Sequence, residues 1–179
     1  MKRRPKAGDA AHAQLATLPA VLKLFVGQHI VNGLSVAVSV MAVTALASAA
    51  LGFAAGQPAT LGAVSASLSD FPAPWRAKAR MLLVGFGLAL VSTSTVLFVG
   101  DWPPPQIAAI GLVAFGAGMV TGFGRWAQAL SAQALIPMVF VMGLPRVDLA
   151  HTIDEALLLA AGGLAYIVLA LAATRLTGA

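Results

Sequence analysis

Cysteine is absent from this chain, and charged side chains are scarce. Asp, Glu, Lys and Arg together make up 9% of the 179 residues, whereas hydrophobic residues make up 59%. Soluble domains carry about 25% charged residues, so this chain has too few charges to cover a soluble globular protein of its size. The lack of cysteine excludes disulfides and thiolate metal sites. The composition therefore predicts an integral membrane protein.

The residue groupings of enzymes, metalloproteins and nucleic-acid-binding proteins are also missing. The three histidines have no ligand-like spacing, and no nucleophile motif or glycine-rich phosphate loop is found. The net charge is +5, but basic residues cluster at the N-terminus and between apolar runs instead of forming a patch that reads phosphates. We therefore expect no enzymatic activity, no cofactor, no metal and no nucleic-acid partner.

The apolar runs predict an all-α fold with six transmembrane helices. A helix needs about 20 apolar residues to cross the hydrocarbon core, with a range of roughly 17–25. Five runs come close to this length, and a sixth is shorter and rich in Gly, Ala and Ser. The predicted spans are residues 31–53, 57–71, 81–100, 106–123, 127–144 and 155–174. They form one domain, residues 15–179, after a basic cytoplasmic tail, residues 1–14.

Apolar residues recur at helical spacing before the first span, at Leu15, Leu18, Leu22 and Phe25. This pattern favours either a short amphipathic helix at the membrane interface or an N-terminal extension of the first span. At the start of the last span, Asp154 and Glu155 are expected to cap the helix, because the helix dipole favours acidic residues there.

The distribution of positive charge predicts the orientation. With six spans and a cytoplasmic N-terminus, every Lys and Arg except Arg146 falls on the cytoplasmic side. Lys and Arg are enriched in cytoplasmic loops. Leaving out the short span would move Arg76, Lys78 and Arg80 to the outside. We therefore expect the short span to cross the membrane and both termini to be cytoplasmic.

Two patterns concern helix packing. Ala114, Gly118 and Gly122 repeat at intervals of four, which lets helix backbones approach closely within or between subunits. The short second span and the fifth span, which Pro137 is expected to break, occupy matching positions in two sets of three spans. Short or broken segments at such positions are typical of a 3+3 inverted repeat with its binding region between them.

Seven residues are candidates for a substrate path. Asp70, at the inner end of the short span, is either a functional acid or a carboxylate that pairs locally with Arg76 or Arg80. These two arginines share a helix face, with Lys78 turned away. They are expected to fix the orientation in the membrane, to bind lipid phosphates or to attract an anionic substrate. Two hydroxyls, one amide and the proline within the predicted spans are weaker candidates: Ser92, Ser94, Gln133 and Pro137.

The segment LGAVSASLSDFPAPWRAKARMLLVGFG, residues 61–87, resembles the fusaric-acid-resistance-type transporters, also called the aromatic acid exporter family. The six-span layout with a short second span is similar to the membrane half-unit of that family. The resemblance implies a proton-driven exporter of small organic or aromatic acids in a bacterial inner membrane.

The chain departs from that family in length, because family members usually add a soluble cytoplasmic region and often a second membrane half. We therefore expect a half-unit that works in the lipid bilayer as a homo-oligomer or with a partner subunit. Two alternatives stay open at this point. One is a non-transporting membrane module, meaning a truncated exporter or an assembly subunit, and the other is a passive anion channel.

Overall fold

The computed structural model describes residues 7–99, 102–143 and 148–177, and six α-helices account for nearly all of them. Within these ranges there is no β-strand. The helices are α1 (Ala7–Leu51), α2 (Phe53–Ser67), α3 (Trp75–Val99), α4 (Pro103–Thr121), α5 (Arg125–Met142) and α6 (Leu149–Thr177). The all-α fold class predicted from composition is confirmed.

The first helix differs from the prediction. α1 runs as one helix from Ala7 to Leu51, so no separate amphipathic helix precedes the first span. The alternative of an N-terminal extension agrees with this helix. The side chains of Leu15, Leu18, Leu22 and Phe25 lie outside the described ones. Residues up to Leu34 form one compact unit, and Ser35–Ala179 form a second unit that contains everything discussed below.

Four helical stretches are long and apolar enough to cross a membrane: His29–Leu51, Trp75–Val99, Pro103–Thr121 and Leu149–Leu176. α5 is apolar but shorter, and α2 has only 15 residues. Every predicted span overlaps one helix, although α2 begins and ends four residues early and α3 and α6 each begin six residues early. The membrane character is thus supported, while the count of six spans stays a prediction.

The predicted break at Pro137 is wrong. α5 is one helix from Arg125 to Met142 with Pro137 inside it, and α2 likewise contains Pro58. A proline removes one backbone hydrogen bond, but neighbouring helices can accommodate it within a membrane bundle. Pro137 is itself buried, which is consistent with packing around the ring.

The core of the second unit lies between α2, α3 and α6, with one side chain from each of α1 and α5. Its buried members include Ala63, Leu82, Phe86, Leu159 and Tyr166. α2 packs most extensively on α6, and α3 packs on α5 and α6. α2 is therefore an interior helix, whereas α4 contributes only one buried residue, Ala117.

Glycines bring α2 and α6 into backbone contact. A Cβ atom at Gly62 would overlap the carbonyl oxygen of Leu159, and one at Gly162 would overlap the carbonyl oxygen of Ala59. Such close approach is typical of small-residue packing between membrane helices, where dispersion replaces the hydrophobic effect as the driving force. These two glycines set the distance between α2 and α6.

α3 and α6 run antiparallel. Trp75, at the start of α3, lies against Arg175 near the end of α6, and Phe86 lies against Gly163. One end of the unit therefore carries the turn after α2, the start of α3 and the end of α6. We call this the turn end. The opposite end, where α3 finishes and α6 begins, is called the far end.

Candidate functional site

The turn between α2 and α3, residues 68–74, directs an acidic side chain inward. Residues preceding a proline avoid the helical conformation, so Pro72 and Pro74 prevent α2 from continuing into α3. The Asp70 N–H donates to the carbonyl of Ser67 at 3.0 Å, which closes the turn directly after the helix. Asp70 is only 9% exposed, so the turn buries a carboxylate instead of presenting it to solvent.

The buried carboxylate of Asp70 contacts side chains from two different helices. The Lys78 Nζ atom lies 2.6 Å from Oδ1, and the side chains of Lys78 and Asp70 are 5% and 2% exposed. The Tyr166 hydroxyl donates to Oδ2 at 2.7 Å. We call these three residues the Asp70 triad. It joins the turn, the first turn of α3 and the middle of α6, and the charge of the aspartate is balanced by that of the lysine.

This arrangement corrects the expected pairing of Asp70 with Arg76 or Arg80. Both arginines are exposed, and it is Lys78 that points inward. The reason is that α3 begins at Trp75, so residues 76–80 are already helical and are distributed over its buried and exposed faces. Lys78 falls on the buried stripe of α3, four residues before Leu82 and seven before Gly85.

An aromatic ring and exposed arginines form a basic surface at the turn end. The Arg175 guanidinium lies 4.9 Å from the centre of the Trp75 ring, and that of Arg76 lies 5.7 Å from it. Both distances are within the range of cation–π attraction. Arg80, also exposed and one helical turn after Arg76, adds a third positive charge to this end of α3.

Gln133 is the most deeply placed of the predicted path residues. It is fully buried on α5, and its Nε2 atom donates to the carbonyl of Ser65 on α2 at 2.8 Å. A Cβ atom at Gly85 would overlap Gln133 Oε1, so this glycine makes the room for the amide. Oε1 has no hydrogen-bond partner among the described residues. The amide therefore ties α5 to α2 and leaves one buried acceptor open.

The serines lie on a different part of α3. The Ser92 hydroxyl, which is buried, donates to the carbonyl of Ala134 at 2.8 Å. It borders a cavity of about 280 Å³ between α3, α4 and α5. Ser131, also on this cavity, donates to the carbonyl of Ala117. Ser94 is half-buried and lines an open apolar groove along α3. Ser92 and Gln133 thus lie inside the unit, whereas Ser94 faces outward.

Two further predictions concern the small-residue stripe on α4 and the start of α6. Ala114, Gly118 and Gly122 are exposed on α4, and nothing lies within 4 Å of a Cβ placed at Gly118. They pack no other helix in the described part of the chain, and packing between subunits stays a prediction. The expected caps of α6 were wrong, because the helix begins at Leu149 and Asp148 accepts the His151 N–H at 2.7 Å.

Sequence reasoning missed the residues that complete the site. Lys78 could have been found from its helical spacing with Leu82 and Phe86, had the start of α3 been placed correctly. Tyr166 is the only tyrosine of the chain, but it lies 96 residues from its partner, and no local signal joins the two. Within the described ranges, no three His, Cys, Asp or Glu side chains are grouped so as to hold a metal ion.

Comparison with family models, with curated proteins and with solved structures found no match for this chain. The function must therefore be argued from the site itself.

Proposed function

We propose that the chain is a transporter subunit that moves small organic acids across a membrane, with the Asp70 triad as its coupling element. The observation that carries this proposal is the burial of an ionised pair inside an apolar helical protein. Removing two charges from water costs several kcal/mol per ion, and their mutual attraction does not reliably offset that cost. Ionisable residues in such surroundings therefore commonly mark substrate or proton pathways.

The partners of Asp70 support a role in coupling. Protonation of the Asp70 carboxylate can replace its ion pair with Lys78, because it removes the negative charge that the lysine balances. The ion pair then opens, and the turn loses its buried electrostatic contact with α3. Since the triad also involves α6, one protonation event affects contacts of three elements at once. That is the kind of bistable local contact a transport cycle requires.

The basic surface of Arg76, Arg80 and Arg175 suits an anionic substrate. Exposed charges of one sign raise the local concentration of oppositely charged solutes. The exposed part of the Trp75 side chain offers apolar surface beside these charges to the ring or chain of an organic acid. By the positive-inside rule this surface is cytoplasmic, which favours export from a bacterial inner membrane with both termini inside.

The test is transport of a hydroxybenzoate by the purified chain in proteoliposomes, with and without an imposed proton gradient. We expect gradient-dependent movement in the unmodified chain. Asp70→Asn, which removes the titratable group, should abolish the dependence on the gradient. Arg76→Ala combined with Arg80→Ala should raise the substrate concentration needed for half-maximal rate. Arg146→Ala, at the basic residue predicted on the opposite side, is the matched control and should leave that concentration unchanged.

The other outcomes separate the alternatives. Unchanged transport in the double arginine variant contradicts the role of the basic surface. If the unmodified chain transports the hydroxybenzoate at the same rate with and without the proton gradient, it is a passive anion channel. Absence of transport by a folded, correctly oriented chain contradicts the proposal and favours a non-transporting module that needs a partner subunit.

A further inference from the structure

A second buried carboxylate lies near the start of α6, at the far end. The Glu155 side chain is 8% exposed, and its Oε1 atom lies 3.3 Å from Nε2 of His151, one helical turn earlier. The His151 side chain is 45% exposed and therefore in contact with the surroundings. The second carboxylate oxygen, Oε2, is buried and has no hydrogen-bond partner among the described residues. The pair thus joins a buried acid to an exposed imidazole.

The surroundings of Glu155 contain little that could balance its charge. Ionisable residues are absent from α2, from residues 81–99 of α3 and from residues 35–51 of α1. Asp148, directly before α6, and Asp154, on α6, are exposed and have the same sign of charge as Glu155. Asp101 and Arg146 lie outside the described residues. Among the described groups, only His151 can stabilise a negative charge on Glu155.

A hydroxyl of α3 lies at the same level as this acid. Phe86 lies against Gly163, and counting seven residues along each antiparallel helix places Thr93 level with Ala156. Thr93 is 1% exposed, and its Oγ1 atom also lacks a hydrogen-bond partner among the described residues. In the described part of the far end, two buried polar atoms, Glu155 Oε2 and Thr93 Oγ1, therefore lack hydrogen-bond partners, where apolar packing would be the simplest arrangement.

We infer that Glu155 and His151 form a proton-binding site at the far end, with Glu155 taking up the proton and His151 connecting it to the aqueous side. This inference rests on the proposed function, since it supplies the second of two acids for a proton-coupled cycle, with Asp70 at the turn end. A proton fits better than a metal cation, because hard cations require about six or more oxygen ligands and the site offers one open carboxylate oxygen.

The inference is tested by labelling with dicyclohexylcarbodiimide, an apolar reagent that reaches carboxyl groups buried in membrane proteins. The O–H of a neutral carboxylic acid adds across one C=N bond of the reagent, and the resulting O-acylisourea rearranges by an oxygen-to-nitrogen acyl shift to a stable N-acylurea. Peptide mass spectrometry of the labelled full-length chain in lipid vesicles identifies the modified residue. Because the reagent reacts with the neutral acid, labelling of Glu155 should fall about tenfold per pH unit once the carboxylate predominates.

Three variants make the result specific. Glu155→Gln should abolish labelling of this peptide, whereas Asp154→Asn, at the exposed neighbour, should leave it unchanged. His151→Gln removes the imidazole that contacts Oε1, so the pH dependence of labelling should differ from that of the unmodified chain. Labelling confined to another residue, or independent of pH, overturns the inference. The inference is also overturned if sodium ions protect Glu155 from labelling and choline at the same concentration and pH does not, because that result would indicate a cation site.

Labelling requires neither substrate nor turnover, so its failure leaves the proposed transport function standing. Conversely, pH-dependent labelling of Glu155 in a chain that moves no organic acid contradicts the proposed function alone.

Discussion

The contact between α2 and α6 predicts that adding one methyl group at Gly162 will destabilise the fold. A Cβ atom there would lie 2.6 Å from the Cα atom of Ala59, and it would overlap the Ala59 carbonyl oxygen. Carbon atoms prefer separations of about 3.5–4.0 Å, so the helices must part by roughly 1 Å. A gap of that size forfeits up to about half of the dispersion energy of each contact across the interface.

The expected cost follows from this geometry. Overpacking in a close-packed interior costs about 1–3 kcal/mol, and the rigid backbone opposite Gly162 places this variant at the upper end. Alanine offsets part of the loss, because it is up to about 1 kcal/mol better than glycine in a helix. Gly118→Ala is the matched control, since nothing lies within 4 Å of a Cβ at that position of α4. The two variants should therefore differ by about 2–3 kcal/mol in the free energy of unfolding.

The assay is unfolding in mixed micelles of dodecyl maltoside and dodecyl sulfate, followed by circular dichroism. We expect Gly162→Ala to unfold at a clearly lower dodecyl sulfate fraction and Gly118→Ala to match or exceed the unmodified chain. Equal midpoints for the two variants would refute the close approach of α2 and α6. Light scattering on the same samples tests the predicted packing between subunits, because a change in oligomer size with Gly118→Ala would place that glycine at a subunit contact.

Three further substitutions have expected outcomes in the same unfolding assay. Lys78→Met leaves the Asp70 carboxylate buried without its cation and should cost about 3–5 kcal/mol, most of which Asp70→Asn in the same chain should restore. Tyr166→Phe removes a hydrogen bond to a charged group and should cost about 1.5–3 kcal/mol; no loss would show that the hydroxyl does not hold Asp70. Asp148→Ala removes the cap of α6 and should cost about 1 kcal/mol, with Asp154→Ala as the control that should cost less.

The helical membrane character could be predicted from the sequence, because it depends on composition and run length alone. The ends of the helices could not be predicted as well. α3 and α6 each begin six residues before the predicted apolar span, because charged and polar residues such as Lys78 and His151 are already helical before the apolar run begins. Hydropathy identifies the residues that can lie in the hydrocarbon core, whereas the positions of helix ends depend on prolines, glycines and capping residues.

The packing face of each helix was harder to predict. The stripe of Ala114, Gly118 and Gly122 has the same spacing as genuine contact residues, yet the contacts within the chain are made at Gly62 and Gly162. Lipid and a neighbouring helix are both apolar, so hydrophobicity does not distinguish the two sides of a membrane helix. Only the tertiary arrangement decides which small-residue stripe is used.

In the Asp70 triad, too, some residues could be predicted from the sequence and others depend on tertiary packing. Asp70 itself could be singled out, because an acid next to a long apolar run is unusual. Lys78 is recoverable once α3 starts at Trp75, since helical periodicity then places it on the inward face. Tyr166 is not recoverable, because its contact depends on how α6 docks against α2 and the turn, and the backbone contacts at Gly62 and Gly162 determine that docking.

The shortness of α2 has an electrical consequence. Fifteen residues rise about 22 Å, against about 30 Å of hydrocarbon. Tyr166, which holds Asp70, lies 11 residues before the end of α6, or about 16 Å along that helix. The Tyr166 backbone therefore lies well inside the length of α6. If α2 crosses a bilayer as predicted, the membrane voltage falls over a thinner barrier beside α2 than beside the longer helices.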